Sequence, residues 1–345
     1  MYYFKIVGGS ILTQTILFKS NELDKAATII NSGGIVVFPT ETVYGLGADV
    51  YNREAVKKIF VAKGRPQDNP LIVHVSDIKE IENVTSDFNE KAKKLADAFM
   101  PGPITMVLKK KNEIPDIVSA GLDTVGVRLP YSETARSFIK KCACPIAAPS
   151  ANVSGSVSAT NFFDVKDELM GRVDGIIEGE ECDFGIESTV IDMTKEVPVI
   201  LRPGSITYEM IKEILPEVKI HSSLIKGDFE ERPSSPGMKY KHYSPKAQVY
   251  LVYGDNKKIV EWFLRKEKTD CLFMFNEYIT DNENIYDIGS EKNIEQMAKK
   301  VFSYLKKADY EGFKTVYIPA VEEKNIGFSV MNRLKKSSGG KIIKI

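Results

Sequence analysis

The chain has 345 residues, 43% hydrophobic and 27% charged, which is too long for one ordinary core and indicates a soluble protein of two domains. Lys plus Arg and Asp plus Glu balance at 47 each, which excludes a global basic field and leaves any RNA contact local or transient. Four cysteines (Cys142, Cys144, Cys182, Cys271) and three histidines complete no zinc pattern, so the thiols are expected to be buried or idle in a reducing compartment.

The N-terminal MYYFKIVGGSILTQTILF is broken by Lys, Gly, Ser, Thr and Gln and lacks a basic leader. No apolar run approaches the length of about 18 residues that a membrane span requires, and a cytoplasmic location is expected.

In chain order, NELDKAATIINSGG has helical spacing, with Leu23, Ala26, Ala27 and Ile30 on one face and Gly33-Gly34 as its stop. IVVFPT follows as a buried strand ending at Pro39. NREAVKKIFVAKGR predicts a second helix with Ala55, Val56, Ile59 and Phe60 inward. LIVHV predicts a strand, DFNEKAKKLADAFMPGP a helix stopped by Pro101-Gly102-Pro103, and ITMVLKKK a strand ending in charge. TVGVRLP, CPIAAPSAN, GIIEG, STVIDM and VPVILRPG add short apolar runs bounded by Gly, Pro or Ser. This interleaving predicts one α/β or α+β domain over 1–215.

From 216 to 246 the texture changes to that of a linker. KGDFEERPSSPGMKYKHYSPKA has little apolar periodicity, yet Met238, Tyr240, His242 and Tyr243 are costly to leave idle on a tether. A linker that folds over a site is the better reading. Beyond it QVYLVYG, CLFMF, NIYDIG and TVYIPA read as strands, and KKIVEWFLRK and IEQMAKKVFSYLKKADYEGF as helices. They predict a small doubly wound α/β domain over 247–345.

The first domain has no G-x-x-x-x-G-K-[ST] loop, no G-x-G-x-x-G and no G-x-S-x-G elbow. Tyr44-Gly45-Leu46-Gly47 is only G-x-G and reads as a tight turn. Its polar residues instead collect at strand ends, where ligand crevices form in α/β sheets. Thr40 and Thr42 suit either turn bonding or ligand contact. Lys63 and Arg65 could complement a helix C-terminus, or, stiffened by Gly64 and Pro66, bind phosphate or carboxylate from an exposed position. His74 shares a strand face with Ile72 and suits a satisfied core histidine or a ligand contact. Arg128, embedded in a strand, must meet either a carboxylate of the protein or an anionic ligand. PSANVSGSVSAT packs Ser150, Asn152, Ser154, Ser156, Ser158 and Thr160 around Gly155, and ESTV and LRPG repeat the placement of polar residues against strand ends.

In order, PTETVYGLGADV, KGRPQDNPLIVHV, MPGPITMVL, GLDTVGVRLP, PSANVSGSVSAT, ESTV and LRPG resemble the YrdC-like threonylcarbamoyl-AMP synthases, and the linker with a C-terminal α/β domain resembles their long, two-domain Sua form. The resemblance spans nearly the whole chain. It implies a twisted mixed sheet in the catalytic domain, a Rossmann-like second domain, and nucleotidyl transfer from ATP onto the carbamate of L-threonine and bicarbonate, with Mg²⁺ carried on the ATP phosphates. It also implies a separate tRNA-threonylcarbamoyl transfer machinery as a transient partner. By the same resemblance Lys63 and Arg65 hold the ATP phosphates and the carbamate. Gln67, Thr124, Ser150, Asn152, Ser158, Arg202 and Tyr243 contact ATP or the adenylate, with Tyr243 closing over it. Thr40, His74, Arg128, Ala148 and Ser188 contact L-threonine, Arg128 receiving its anion from the substrate carboxylate. IGFSVMNRLKKSSGG departs from the family, carrying Phe328-Ser329 where a G-x-A-type step is commoner. A regulatory RNA-binding module and a carbamoyl-transfer domain of a larger maturation enzyme are the competing readings, each disfavoured by the balanced charge or by absent companion segments.

Overall fold

The structure is a computed structural model that describes residues 14–226 and 243–345, together with a short antiparallel ribbon of Lys5–Val7 and Ser10–Leu12. Its first sheet comprises β1 (Ile16–Phe18), β2 (Val36–Phe38), β3 (Gly45–Asp49), β4 (Ile72–His74), β5 (Ile104–Lys109), β6 (Thr124–Arg128), β7 (Ile146–Ala148), β8 (Gly175–Ile177), β9 (Thr189–Asp192), β10 (Val199–Arg202) and β11 (Lys219–Ile220). These strands lie in the spatial order β11-β10-β9-β5-β6-β4-β7-β3-β2-β8-β1. The sheet is mixed: β4 runs parallel to β6, and β7 antiparallel to both β3 and β4.

Among the described residues the helices of seven residues or more beside this sheet are α1 (Leu23–Asn31), α2 (Arg53–Lys63), α3 (Glu90–Phe99), α4 (Glu133–Cys142), α5 (Phe162–Leu169) and α6 (Tyr208–Ile214). Successive strand residues face opposite sides of a sheet. Val36 and Phe38 of β2 accordingly pack with α1 and α4, whereas Val37 between them packs in the larger core with α2, α3 and α5. Leu23, Ala26, Ala27 and Ile30 are the buried face of α1, as their spacing predicts.

β3 departs from the sequence reading, which has a turn at Gly45 to Gly47. The glycines are there for close packing: a Cβ on Gly47 would stand 2.6 Å from Ile146 Cγ2 and 2.9 Å from Phe38 Cε1. β11 pairs in parallel with β10, so the first sheet continues to Ile220.

The second domain holds β12 (Gln248–Tyr253), α7 (Asn256–Phe263), β13 (Asp270–Met274), β14 (Ile285–Asp287), α8 (Ile294–Tyr310), β15 (Thr315–Pro319), α9 (Ile326–Ser338) and β16 (Ile342–Lys344). Its strands are all parallel, in the order β14-β13-β15-β12-β16, a doubly wound arrangement. Helix α9 and strand β16 escape the sequence reading. The second core is not closed on itself: Val43, Val157 and Ile186 of the first domain pack into it with Tyr243. Among the described residues no helix is long and apolar enough to cross a membrane. All four cysteines are unpaired, with Cys142, Cys182 and Cys271 buried.

Candidate active site

A cleft of about 740 Å³, open mouth included, lies where the ends of β2, β4, β6, β7 and β10 meet the start of β9. Thr40, Lys63, Arg65, His74, Arg128, Ala148, Ser150, Asn152, Ser158, Ser188, Arg202 and Tyr243 all line it. Gln67 and Thr124 do not. Gln67 is exposed in the turn after α2, and Thr124 opens β6, at the far end of the strand from Arg128.

Lys63 sits differently from its expected exposed position. It is the last residue of α2, which Gly64 ends with φ 59° in the left-handed region. Its side chain is 1% exposed, and its Nζ donates to the carbonyls of Ser150 (2.5 Å) and, more closely, of Asn152. Its own carbonyl accepts from Ser154 N at 2.8 Å, so one residue ties the serine-rich loop to the helix end. Burial, then the neighbouring Arg65, pushes the Lys63 ammonium well below its usual range. Arg65 lies half-buried beside it, with Nη2 3.4 Å from the carbonyls of Asn69 and Pro70.

Asn152 organises the rest of that loop. Its amide donates to the carbonyls of Val153 (2.8 Å) and Ser156 (2.9 Å), and its Oδ1 accepts from Ser150 Oγ at 2.6 Å. The loop is held against β3 by backbone bonds from Ala151 N to Tyr44 O and from Tyr44 N to Ala159 O. Thr40 is both turn former and wall: its Oγ1 donates to Val43 O at 2.6 Å and accepts from the backbone of Thr42.

The anion that Arg128 requires is already within the chain. Its Nη2 meets Glu41 Oε1 at 2.6 Å, and both side chains are buried. Glu41, in the PTET motif between the two threonines chosen from sequence, is thus the partner that sequence reasoning missed. Burial raises the Glu41 carboxyl, but Arg128 outweighs it and the net shift is downward. Arg128 Nε is also buried and has no hydrogen-bond partner, leaving a donor beside the cleft.

A second polar cluster forms the opposite wall. Arg202 Nε donates to Ser188 O (3.0 Å) and its Nη2 to Ser188 Oγ (3.1 Å), while Ser188 Oγ lies 2.8 Å from Thr105 Oγ1. Ser158 Oγ donates to Glu187 Oε1 at 2.7 Å. Glu187 is a second missed acid, neighbour to Ser188 in the EST motif. Of the aromatic linker set, Met238, Tyr240 and His242 lie outside the described residues. Tyr243 is buried with φ 62°, and its ring stacks on Phe302 of α8 at 5.2 Å.

His74 contacts Ile72 O through Nδ1 (3.2 Å) and meets Phe38 edge-on. Burial, reinforced by Arg128, lowers its pKa to about 3, so the imidazole is neutral at physiological pH. An unfolded histidine takes up its proton near pH 6.5, and the folded protein resists until about 3. The stabilising contribution is therefore full above 6.5 and lost as pH falls toward 3. His74→Gln is expected to flatten the acid limb of a urea stability profile by about one proton, about 1.4 kcal/mol per pH unit. An unchanged slope between pH 4 and 6.5 would contradict the buried neutral imidazole.

Two family models match the chain. The Sua5/YciO/YrdC model, described as telomere recombination, covers residues 28–204, and the model described as the C-terminal domain of threonylcarbamoyl-AMP synthase covers 206–339. The threonylcarbamoyl-AMP synthase of Pyrococcus abyssi is 42% identical over 93% of this chain and 95% of its own length. That of Bacillus subtilis is 36% identical over 96% and 97%. The crystal structure of P. abyssi Sua5 complexed with L-threonine superposes with a TM-score of 0.89 at 40% identity, covering 96% of this chain and all of that one.

Proposed function

This chain belongs to the Sua5/YciO/YrdC family of threonylcarbamoyl-AMP synthases, and from that premise we propose that its cleft joins L-threonine, bicarbonate and ATP into L-threonylcarbamoyl-adenylate with release of pyrophosphate. One observation carries the reading: Lys63, Arg65, Arg128 and Arg202 converge on a single cleft of a chain with no net charge. Such a concentration of cations calls for a polyanion, and hydroxyls from Ser150, Ser158 and Ser188 surround them.

The chemistry asks for no side-chain nucleophile. Threonine's amine attacks the carbon of CO₂, losing a proton, or that of bicarbonate, where the amine proton leaves with the displaced hydroxide as water, and a carbamate forms. A carbamate oxygen then attacks the α-phosphorus, and the bond to the β-phosphate bridging oxygen breaks, releasing pyrophosphate. Lys63 and Arg65 place the phosphates in line and stabilise charge on them. Arg128, with its open Nε donor, and neutral His74 receive the amino acid's carboxylate, while Thr40, Ala148 and Ser188 shape the remainder of its pocket. Ser150, Asn152, Ser158, Arg202 and Tyr243 hold the nucleotide, and Gln67 and Thr124 enter this set only through their motifs. A lid that keeps water from the labile product is proposed for the linker from its sequence, with residues 227–242 lying outside the described residues.

Among the described residues no three His, Cys, Asp or Glu side chains converge as a metal cage. Mg²⁺ is proposed to arrive on the ATP phosphates. The adenylate is proposed to pass, in the cytoplasm, to a separate transfer machinery that modifies tRNA adenosine next to the anticodon. Threonine-dependent pyrophosphate release from ATP tests the reading.

A further inference from the structure

We propose that Arg333, on α9 of the C-terminal domain, is a positioning residue of the active site, holding Glu187 and Ser158 in the nucleotide wall and balancing a carboxylate that otherwise faces ATP. The inference rests on the synthase reading above, and on geometry outside the cleft lining. Arg333 is 0% exposed, and its Nε donates to Glu187 Oε2 at 3.1 Å. The other oxygen of that carboxylate accepts from Ser158 Oγ at 2.7 Å, so guanidinium, carboxylate and hydroxyl form one chain ending in the cleft.

The neighbours of Arg333 on the same helix face bond to backbone carbonyls outside the second domain. Residues four apart share one face of a helix. Ser329 Oγ donates to Gly204 O at 2.8 Å, in the LRPG motif, and Ser337 Oγ to Tyr243 O at 2.6 Å. One stripe of α9 thus grips the LRPG, EST and HYSP segments in turn. The Arg333 guanidinium also lies 5.8 Å from the Tyr243 ring centre.

Simple glue between domains does not explain this choice of residue. Arg333 Nη2 is buried without a hydrogen-bond partner, a costly arrangement that an apolar side chain avoids. What the guanidinium supplies is charge beside Glu187, the carboxylate that lines the cleft. Burial raises the Glu187 carboxyl, but Arg333 first and Arg202 next pull it down further, keeping it ionised. Without Arg333 that buried acid is underbalanced and faces the incoming phosphates.

The test is equilibrium binding of ATP to the full chain without threonine, alongside KM for each substrate. Arg333→Met is expected to weaken ATP binding and raise its KM about tenfold or more, with KM for threonine within about threefold of wild type. R333M/E187Q should recover most of the ATP defect. Ser329→Ala removes the neighbouring interdomain bond but leaves the charge balance, and should keep ATP binding within about twofold. An R333M variant that binds ATP like wild type overturns the inference, as does an equal rise in both KM values with no recovery in R333M/E187Q. Should R333M fail to fold, Arg333→Gln, which keeps a donor for Glu187 but no charge, is compared with S329A: a weaker ATP affinity in R333Q alone supports the inference, and equal affinities overturn it. Absence of threonine-dependent turnover in the wild type is a different result and strikes the synthase reading instead.

Discussion

Replacing Lys63 by Met is expected to lower kcat/KM for ATP by about 10²–10³-fold or more, and to lower the melting temperature in the same variant. Both effects come from one ammonium with two duties. In the free protein it satisfies the carbonyls of Ser150 and Asn152 from a fully buried position. Methionine fills the stem volume but leaves both carbonyls without a donor, at about 1–3 kcal/mol for each buried group. Part of that cost is offset because a buried cation no longer has to be desolvated. The variant should therefore fold, melt earlier, and bind ATP poorly. Circular dichroism melts and steady-state kinetics check the two halves separately. Full stability with lost turnover would mean the loop does not depend on Lys63. Full turnover would remove Lys63 from the chemistry.

Arg128→Met is the second large effect. It strands Glu41, which is buried with Arg128 as its ion-pair partner, and breaking such a pair from one side costs about 3–5 kcal/mol. Threonine affinity should fall about 100-fold with the loss of a charged guanidinium from the cleft wall. The two consequences separate in a double variant. Arg128→Met combined with Glu41→Gln removes both charges, so stability should largely return while threonine affinity should not. Chemical denaturation and threonine calorimetry read these outcomes. A double variant as unstable as R128M would show that Glu41 is not the source of the damage, and regained threonine affinity would take Arg128 out of the substrate pocket.

These variants also mark where local sequence ceases to be informative. The inward face of α1 is legible because Leu23, Ala26, Ala27 and Ile30 recur at helical spacing, and burial alone enforces that period. The polar residues at strand ends are legible for a similar reason, since a chain that ends an apolar run with Thr, His or Arg must satisfy those groups somewhere. Their partners are not legible. Lys63 reads as an exposed helix terminus because the carbonyls that bury it lie 87 and 89 residues away. The acid for Arg128 is equally distant, and no periodicity links it to β6. Gly45 and Gly47 read as turn punctuation, although their lack of a side chain serves the packing of β3 against Phe38 and Ile146. Helix α9 is the most consequential omission. Its N-terminal Asn325 makes no side-chain cap, and Ser329, Arg333 and Ser337 are buried beside the apolar Val330, Met331 and Leu334, so no start signal announces it and polar residues interrupt its apolar stripe. Those polar residues are buried because they meet the first domain, a fact that only the tertiary structure holds.

Pyrophosphate release is the most direct measurement of the central claim. The full chain is incubated with ATP, Mg²⁺ and bicarbonate, and pyrophosphate is followed with and without L-threonine. Release that requires both threonine and bicarbonate, and that disappears in Lys63→Met, is the expected result. Pyrophosphate formed equally without threonine, or none with all substrates present and the protein folded, would contradict the assignment of this cleft to threonylcarbamoyl-adenylate synthesis.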